Sequence, residues 1–366
     1  MKSTNTPILA IVIGLSVGLH PDPAPADTVP LSGAVSNAIE QVIIPDYEAL
    51  VATSETAVKA TSALCEEPDS DGLTRARKAF APLVMAFSAV EPYRFGPARA
   101  ENRFERLFFW PDSRGRGLRQ VQGILADKDD TAIDRQSLQQ KSVAVQGLPA
   151  LEFLLFGTDS GAIARGDDAF RCRYAQATAE AISDVSRQLL NAWNAEDGIA
   201  ARLRNPADDN PVYRTSEEAM QELLKAVRQQ LQATAELKLE VALGDAPDRS
   251  KPKTLPFWRS GLALKAIDAN LDAVARLINA WDLPAILDEE TALIAQQLDY
   301  ELKTAQDAVT RADAIDPDIQ AVVKSQEGHS QLAYSRIPMK SVVTLLSEDI
   351  AHALGLTVGF NALDGD

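Results

Sequence analysis

Two stretches of this sequence concentrate residues able to do chemistry. The first runs from Pro92 to Arg119 and carries Arg94, Arg99, Arg103, Arg106, Arg114, Arg116 and Arg119 against only Glu101, Glu105 and Asp112. Guanidinium forks match the geometry of carboxylate and phosphate, so local positive charge of this kind can hold an anion. The competing reading is an exposed helix stitched by ion pairs three or four residues apart. Between Arg99 and Arg106 the four-apart pairs are like-charged and no opposite pair falls at either spacing. That weakens the competing reading without removing it.

The second stretch is Gly147 to Gly157, GLPALEFLLFG. Pro149 suits the first turn of a helix, where its missing N–H would be unpaired anyway. Glu152 then ends that turn and favours the positive end of the helix dipole. Alternatively, Glu152 is a buried carboxylate available as a ligand or base. Other constellations are sparse. His329 and His352 are the histidines beyond the N-terminal region, and Glu348 and Asp349 share a helical face with His352. An ion-paired surface accounts for that trio. Neither a three-histidine nor an H-E-x-x-H zinc site can be built locally. There is no nucleophile elbow, phosphate loop or dinucleotide fingerprint. Any metal site must be mainly oxygen-ligated, suiting a hard cation, with Asp112 and Glu152 as candidate ligands.

The elements that must position these residues read as helices. Tyr47, Leu50, Val51, Ala57, Val58, Thr61 and Leu64 share one face. A second stripe runs from Met220 to Val241, opened by Thr215-x-x-Glu218 as a capping box. Ile267, Leu271, Val274, Ile278 and Trp281 form a third, and Leu287 to Val309 a fourth, entered through Pro284. A last helix spans about Met339 to Leu354 and stops at Gly355. No stretch sustains period-two alternation. The fold expected is all-α: two helical-bundle domains of up-and-down helices packed side by side. The polar stretch Asp197 to Tyr213 divides them, giving an N-terminal bundle over 33–197 and a C-terminal bundle over 213–366. The segment from Pro92 to Leu118 interrupts the first bundle with turns and bulky aromatics, and irregular segments on a rigid scaffold are where binding tends to sit.

Composition narrows the function. The formal net charge is −16. That disfavours nucleic acid, which needs a basic surface, and unassisted docking on anionic lipid. Lys2, an apolar run from Ile8 to Leu19 and Ala24-Pro25-Ala26 describe a signal peptide over 1–26. The run is 12 residues long, short of the roughly 20 that cross a bilayer. No cysteine near the cleavage site offers a lipid anchor, so the expectation is export to the periplasm and no membrane span after cleavage. The two cysteines, Cys65 and Cys172, are expected to pair in an oxidising compartment. Two buried thiols are the alternative.

The segment from Gly147 to Gly157 resembles the G-x-H-x-x-E-[FY]-L-L-[FW]-G segment of imelysin-like proteins. IIPDYEAL at 43–50, YRFGPA at 93–98, WPD at 110–112, FWRSGLALKAI at 257–267 with Asn270-Leu271, and LGLTVGFNALDGD at 354–366 agree in order. The resemblance implies a bacterial periplasmic or envelope protein of two helical bundles with a functional site near their junction. Some members are described as metallopeptidases, and many are linked to iron uptake. The family's histidine falls at Pro149, which offers no ligand, whereas its glutamate is retained as Glu152. Asp112 lies near the position of a further acid.

The expectation that follows is a periplasmic binding or accessory protein for iron or another divalent metal, with no catalytic residues assigned. Its pocket would be lined by Arg94, Asp112, Pro149, Glu152 and Arg259, and would take a metal or small anionic ligand. A metallopeptidase and a module that docks on another envelope protein are the alternatives. Loss of the histidine weighs against the peptidase, because a catalytic zinc keeps three protein ligands and an open position.

Overall fold

The helices that open at Ser70, Ala169, Ser216 and Gln326 each begin behind a side chain that accepts one of their first free N–H groups. The structure, a computed structural model, describes residues 31–288 and 291–356. The signal peptide expected over 1–26 and most of the 354–366 block lie outside the described residues. Helix α1, Leu31–Ala38, runs through a π turn at Ile39–Ile43 into α2, Ile44–Glu66, with Pro45 at its start. Helix α3, Ser70–Val90, is capped by Asp69. Helices α4, Arg116–Asp127, and α5, Gly147–Phe156, follow the irregular segment. Helix α6, Ala169–Asn194, is capped by Asp168, whose side chain accepts from Arg171 N at 3.0 Å.

The second half holds α7, Ser216–Gln232, which opens with the expected cap: Thr215 Oγ1 accepts from Glu218 N at 3.3 Å. The Glu218 carboxylate reaches one residue further back than a capping box requires, accepting from Arg214 N at 2.6 Å. Helix α7 widens into a π turn over Ala233–Glu240 before ending at Leu243. Helix α8 spans Ala263–Ala280. The stripe expected to run from Pro284 to Val309 is broken. A short turn at Leu283–Ile286 ends with Leu287 extended, and α9 begins afresh at Ala292 and reaches Asp313. Asp288 accepts from Thr291 N at 2.9 Å at the break. Helix α10, Gln326–Leu345, begins above the expected Met339 and continues through a π turn to Ala353. Gly355 then takes the left-handed φ of 65° and Leu356 N reaches back to Ala351 O, the closing bond of a Schellman turn.

The fold is all-α, with no strand among the described residues. Helix α2 packs on both α3 and α6, and α5 lies against α3 and α6. Helices α7 to α10 form a second group, and α3 packs on α8 where the groups meet. Helix α1 crosses over and packs on α7. One continuous cluster of buried side chains runs through both groups, from Val35 and Phe80 to Trp281 and Val342. Cys65 and Cys172 form a disulfide joining α2 to α6. On a loop-entropy basis a 107-residue separation gives about 4 to 5 kcal/mol of stabilisation.

Candidate functional site

The segment after α3 is irregular for a local reason: Glu101 and Asn102 hold left-handed backbone, with φ of 55° and 54°. The seven arginines therefore do not line one helix face. Arg103 pairs with Glu101, Arg106 donates to Gln139 O at 2.9 Å, and Arg119 donates to Arg114 O at 2.6 Å. Much of the arginine density thus ties irregular backbone down. The segment Phe108 to Pro111 then runs across the molecule, ending in a cis Trp110–Pro111 peptide. Trp110 Nε1 donates to Thr254 O at 3.1 Å, fastening it to the second half of the chain.

Behind this segment lies a cavity of about 570 Å³. Three pieces of chain wall it: Phe108 to Leu118, the start of α5, and Lys251 to Arg259, with Leu237 and Val241 from the end of α7. Asp112, Pro149, Glu152 and Arg259 all line it, so the fold brings together four of the five residues expected in one pocket. The fifth, Arg94, does not join them. It lines a neighbouring cavity on the other side of Phe108 to Pro111.

Each of the four has a definite job in the wall. Asp112 accepts from Arg116 N at 2.7 Å and Gly117 N at 2.8 Å, one bond to each oxygen, and so starts α4. Pro149 sits in the first turn of α5, which begins close against other backbone. A Cβ on Gly147 would lie 2.4 Å from Arg106 O, so glycine is required there. Glu152 does not serve the dipole of its own helix. It is buried, and its Oε1 accepts from Ser260 N at 2.9 Å and Ser260 Oγ at 2.8 Å. Burial raises its carboxyl above the usual range, partly opposed by the Ser260 hydrogen bonds and the Arg259 charge.

The Ser260 bonds matter because the loop they hold is strained. Phe257 takes a φ of 58°, a region that bulky residues avoid. Glu152 is the anchor that keeps this loop, and with it Trp258 and Arg259, at the cavity wall. The Arg259 guanidinium lies 4.3 Å from the Trp258 ring centre and 5.5 Å from that of Phe153. Lys253 lies 5.1 Å from the Trp258 ring centre. Burial lowers the Arg259 pKa, opposed by Glu152, yet a guanidinium stays charged. Aromatic faces beside Lys251, Lys253 and Arg259 suit a flat anionic ligand.

Reasoning from the sequence missed Ser260, Trp258, Lys253 and Lys238. The last is fully buried, donating to Glu91 Oε2 and Asn270 Oδ1 at 2.7 Å each, 6.0 Å from the Trp110 ring centre. Arg94 completes the clasp on Glu91 Oε1 at 2.7 Å. Burial alone would raise the Glu91 carboxyl, but Lys238 and Arg94 outweigh it and hold it below the usual range. The motif blocks at 257–267 and 270–271 were the available signal for Ser260 and Asn270. Lys238 carried none, since one lysine in a helical stripe looks like any other.

The site is a poor fit to a bare cation. Among the described residues no three His, Cys, Asp or Glu side chains are grouped to hold a metal. Both Asp112 oxygens and Oε1 of Glu152 already accept N–H or O–H bonds. The cavity lining includes neither histidine nor cysteine.

The sequence pattern of the imelysin family matches residues 43–337. In structure, the chain is similar to an imelysin-like protein from Psychrobacter arcticum 273-4. That likeness has a TM-score of 0.73 at 19% identity, over 90% of this chain and 97% of the other. It is also similar to a protein described as an iron-regulated protein A precursor, from Parabacteroides distasonis ATCC 8503. There the TM-score is 0.68 at 14% identity, over 86% of this chain and 94% of the other. At these identities the likeness is one of fold. No curated protein matches the chain.

Proposed function

The chain belongs to the imelysin family, and from that premise we propose that it is an exported binding protein in the acquisition of iron or another metal. The observation that carries this reading is the larger cavity, where Arg259 lies between the Trp258 and Phe153 rings and Lys251 and Lys253 stand nearby. That wall recognises a flat anion. The metal is therefore taken as a complex with an anionic aromatic chelator, whose outer faces meet the aromatics and whose charge meets the cations. The iron-regulated description of one structural relative supports the link to iron. Export rests on the signal peptide read over 1–26 and on the paired cysteines. No helix among the described residues is long and apolar enough to cross a membrane.

In this reading Glu152 and Asp112 are positioning residues. Each carboxylate shapes one wall of the cavity, and neither needs to give up its hydrogen bonds for the ligand to enter. Peptide hydrolysis has less support, since the metal-binding position of the motif is Pro149.

Calorimetric titration of the mature protein tests the proposal, using ferric, ferrous, zinc and cupric ions alone and then a ferric catecholate complex. The complex is expected to bind one to one, with Arg259→Ala weakening it about tenfold or more through loss of a charged partner. Bare ions are expected not to bind. Stoichiometric binding of a bare ion, or no binding of the complex, overturns the proposal.

A further inference from the structure

The cavity on the other side of Phe108 to Pro111 has a volume of about 360 Å³, at the small end for ligand sites. Its lining differs in kind from its neighbour's. Phe104, Phe108, Phe109 and Trp110 supply an apolar wall, and Arg94, Arg99, Glu105, Gln229 and Gln230 supply the polar side chains. Arg94 is half-buried and stacked 4.4 Å from the Phe104 ring centre, with part of its guanidinium committed to Glu91. Arg99 is exposed, and its guanidinium has no hydrogen bond or ion pair among the described residues.

Gln230 is the informative residue. It is only 2% exposed, and its Oε1 is buried with no hydrogen-bond partner among the described residues. Its amide orientation follows from its neighbour. Thr234 Oγ1 donates its one proton to Gln230 O at 2.9 Å, so it can only accept from the amide, which it does from Nε2 at 3.3 Å. The oxygen is therefore the unpaired atom. A buried acceptor without a donor is costly, and polar groups in this state are rare in folded proteins.

We propose that this smaller cavity is a second binding site, for an organic monocarboxylate that carries a hydrogen-bond donor on its α carbon and an apolar or aromatic side group. The carboxylate meets Arg99 and the free edge of Arg94. The α hydroxyl or α amide N–H donates to Gln230 Oε1, and the side group lies on the aromatic wall. Glu105 at the cavity disfavours phosphates and other multiply charged anions, leaving a single negative charge as the match. A free hydroxy acid and the C-terminus of a peptide share this chemistry.

The test is calorimetric titration of the mature protein with 3-phenyllactate and with 3-phenylpropionate, which differ by the one hydroxyl. The hydroxy acid is expected to bind one to one and about tenfold or more tightly than its deoxy analogue, since only it pairs the buried oxygen. Gln230→Leu is expected to erase the difference between the two acids, and Arg99→Ala to weaken both. Arg259→Ala, in the other cavity, is expected to change neither, so failure of the larger site does not mimic failure here. N-acetylphenylalanine binding more tightly than 3-phenyllactate assigns the site to a peptide end, and weaker binding assigns it to a free acid. Should Gln230→Leu fail to fold, the acid pair and the exposed Arg99→Ala still decide. Equal affinity for the two acids, no binding, or loss of binding in Arg259→Ala with none in Arg99→Ala overturns the proposal.

Discussion

At the scale of single residues, Glu152 shows how a motif glutamate can hold a loop that is distant in sequence. Its buried carboxylate holds Ser260, and Ser260 holds the strained backbone that presents Trp258 and Arg259. Glu152→Ala strands a backbone N–H and is expected to cost about 1 to 3 kcal/mol in urea unfolding, with weakened binding in the larger cavity. Glu152→Gln keeps an acceptor and isolates the charge. The folded carboxyl has a raised pKa, so it holds its proton more tightly than in the unfolded chain. Its favourable contribution is complete below the ordinary glutamate range and is lost as pH rises through the raised value. The stability of the parent protein relative to Glu152→Gln should therefore fall with rising pH across that window. A difference that grows with pH would show that Glu152 is better stabilised as the anion.

At the scale of elements, the Glu91–Lys238–Asn270 clasp joins the end of α3 to the π turn after α7 and to α8. It explains why that π turn is tolerated. The wider turn places Lys238 inside, against Glu91, and Leu237 at both cavities. Such turns recur at functional sites because they redirect a side chain without ending the helix. Lys238→Met leaves the Glu91 charge buried with less compensation and is expected to cost about 3 to 5 kcal/mol. Adding Glu91→Gln should recover part of that loss, since the two changes remove one shared interaction. Fully additive losses in denaturant titrations would mean that the pair is not coupled. Because the Glu91 pKa is lowered, its contribution is present above the ordinary carboxylate range and fades as pH falls through the lowered value.

At the scale of the whole molecule, the division near Asp197 to Tyr213 is a proposal about how the chain folds. Residues Asn205 to Thr215 are mostly exposed and irregular. A specific protease site placed between Asp208 and Asp209 should be cut without loss of helicity. The two fragments are then expected to remain together in gel filtration, because α1 packs on α7 and α3 on α8 across one continuous core. Separation in native buffer would show two independent bundles with a weak interface. Both cavities take residues from either side of this division, so ligand should also slow dissociation of the cut protein.

What the sequence determined by itself is local or combinatorial. Helical stripes depend on neighbours three and four residues apart, the caps at Thr215 and Gly355 on a single turn of backbone, and the Cys65–Cys172 pair on there being only two cysteines. The family blocks added Pro149, Glu152 and the neighbourhood of Ser260. Tertiary structure decided the rest. It sent Arg94 into a different cavity from Arg259, broke the fourth stripe before Ala292, and turned Glu152 from its own helix end toward a loop. Ser260 lies 108 residues from Glu152 and Lys238 lies 147 from Glu91. Contacts at that range are chosen by which helix faces meet when the core closes, and no pattern within one helix records that choice.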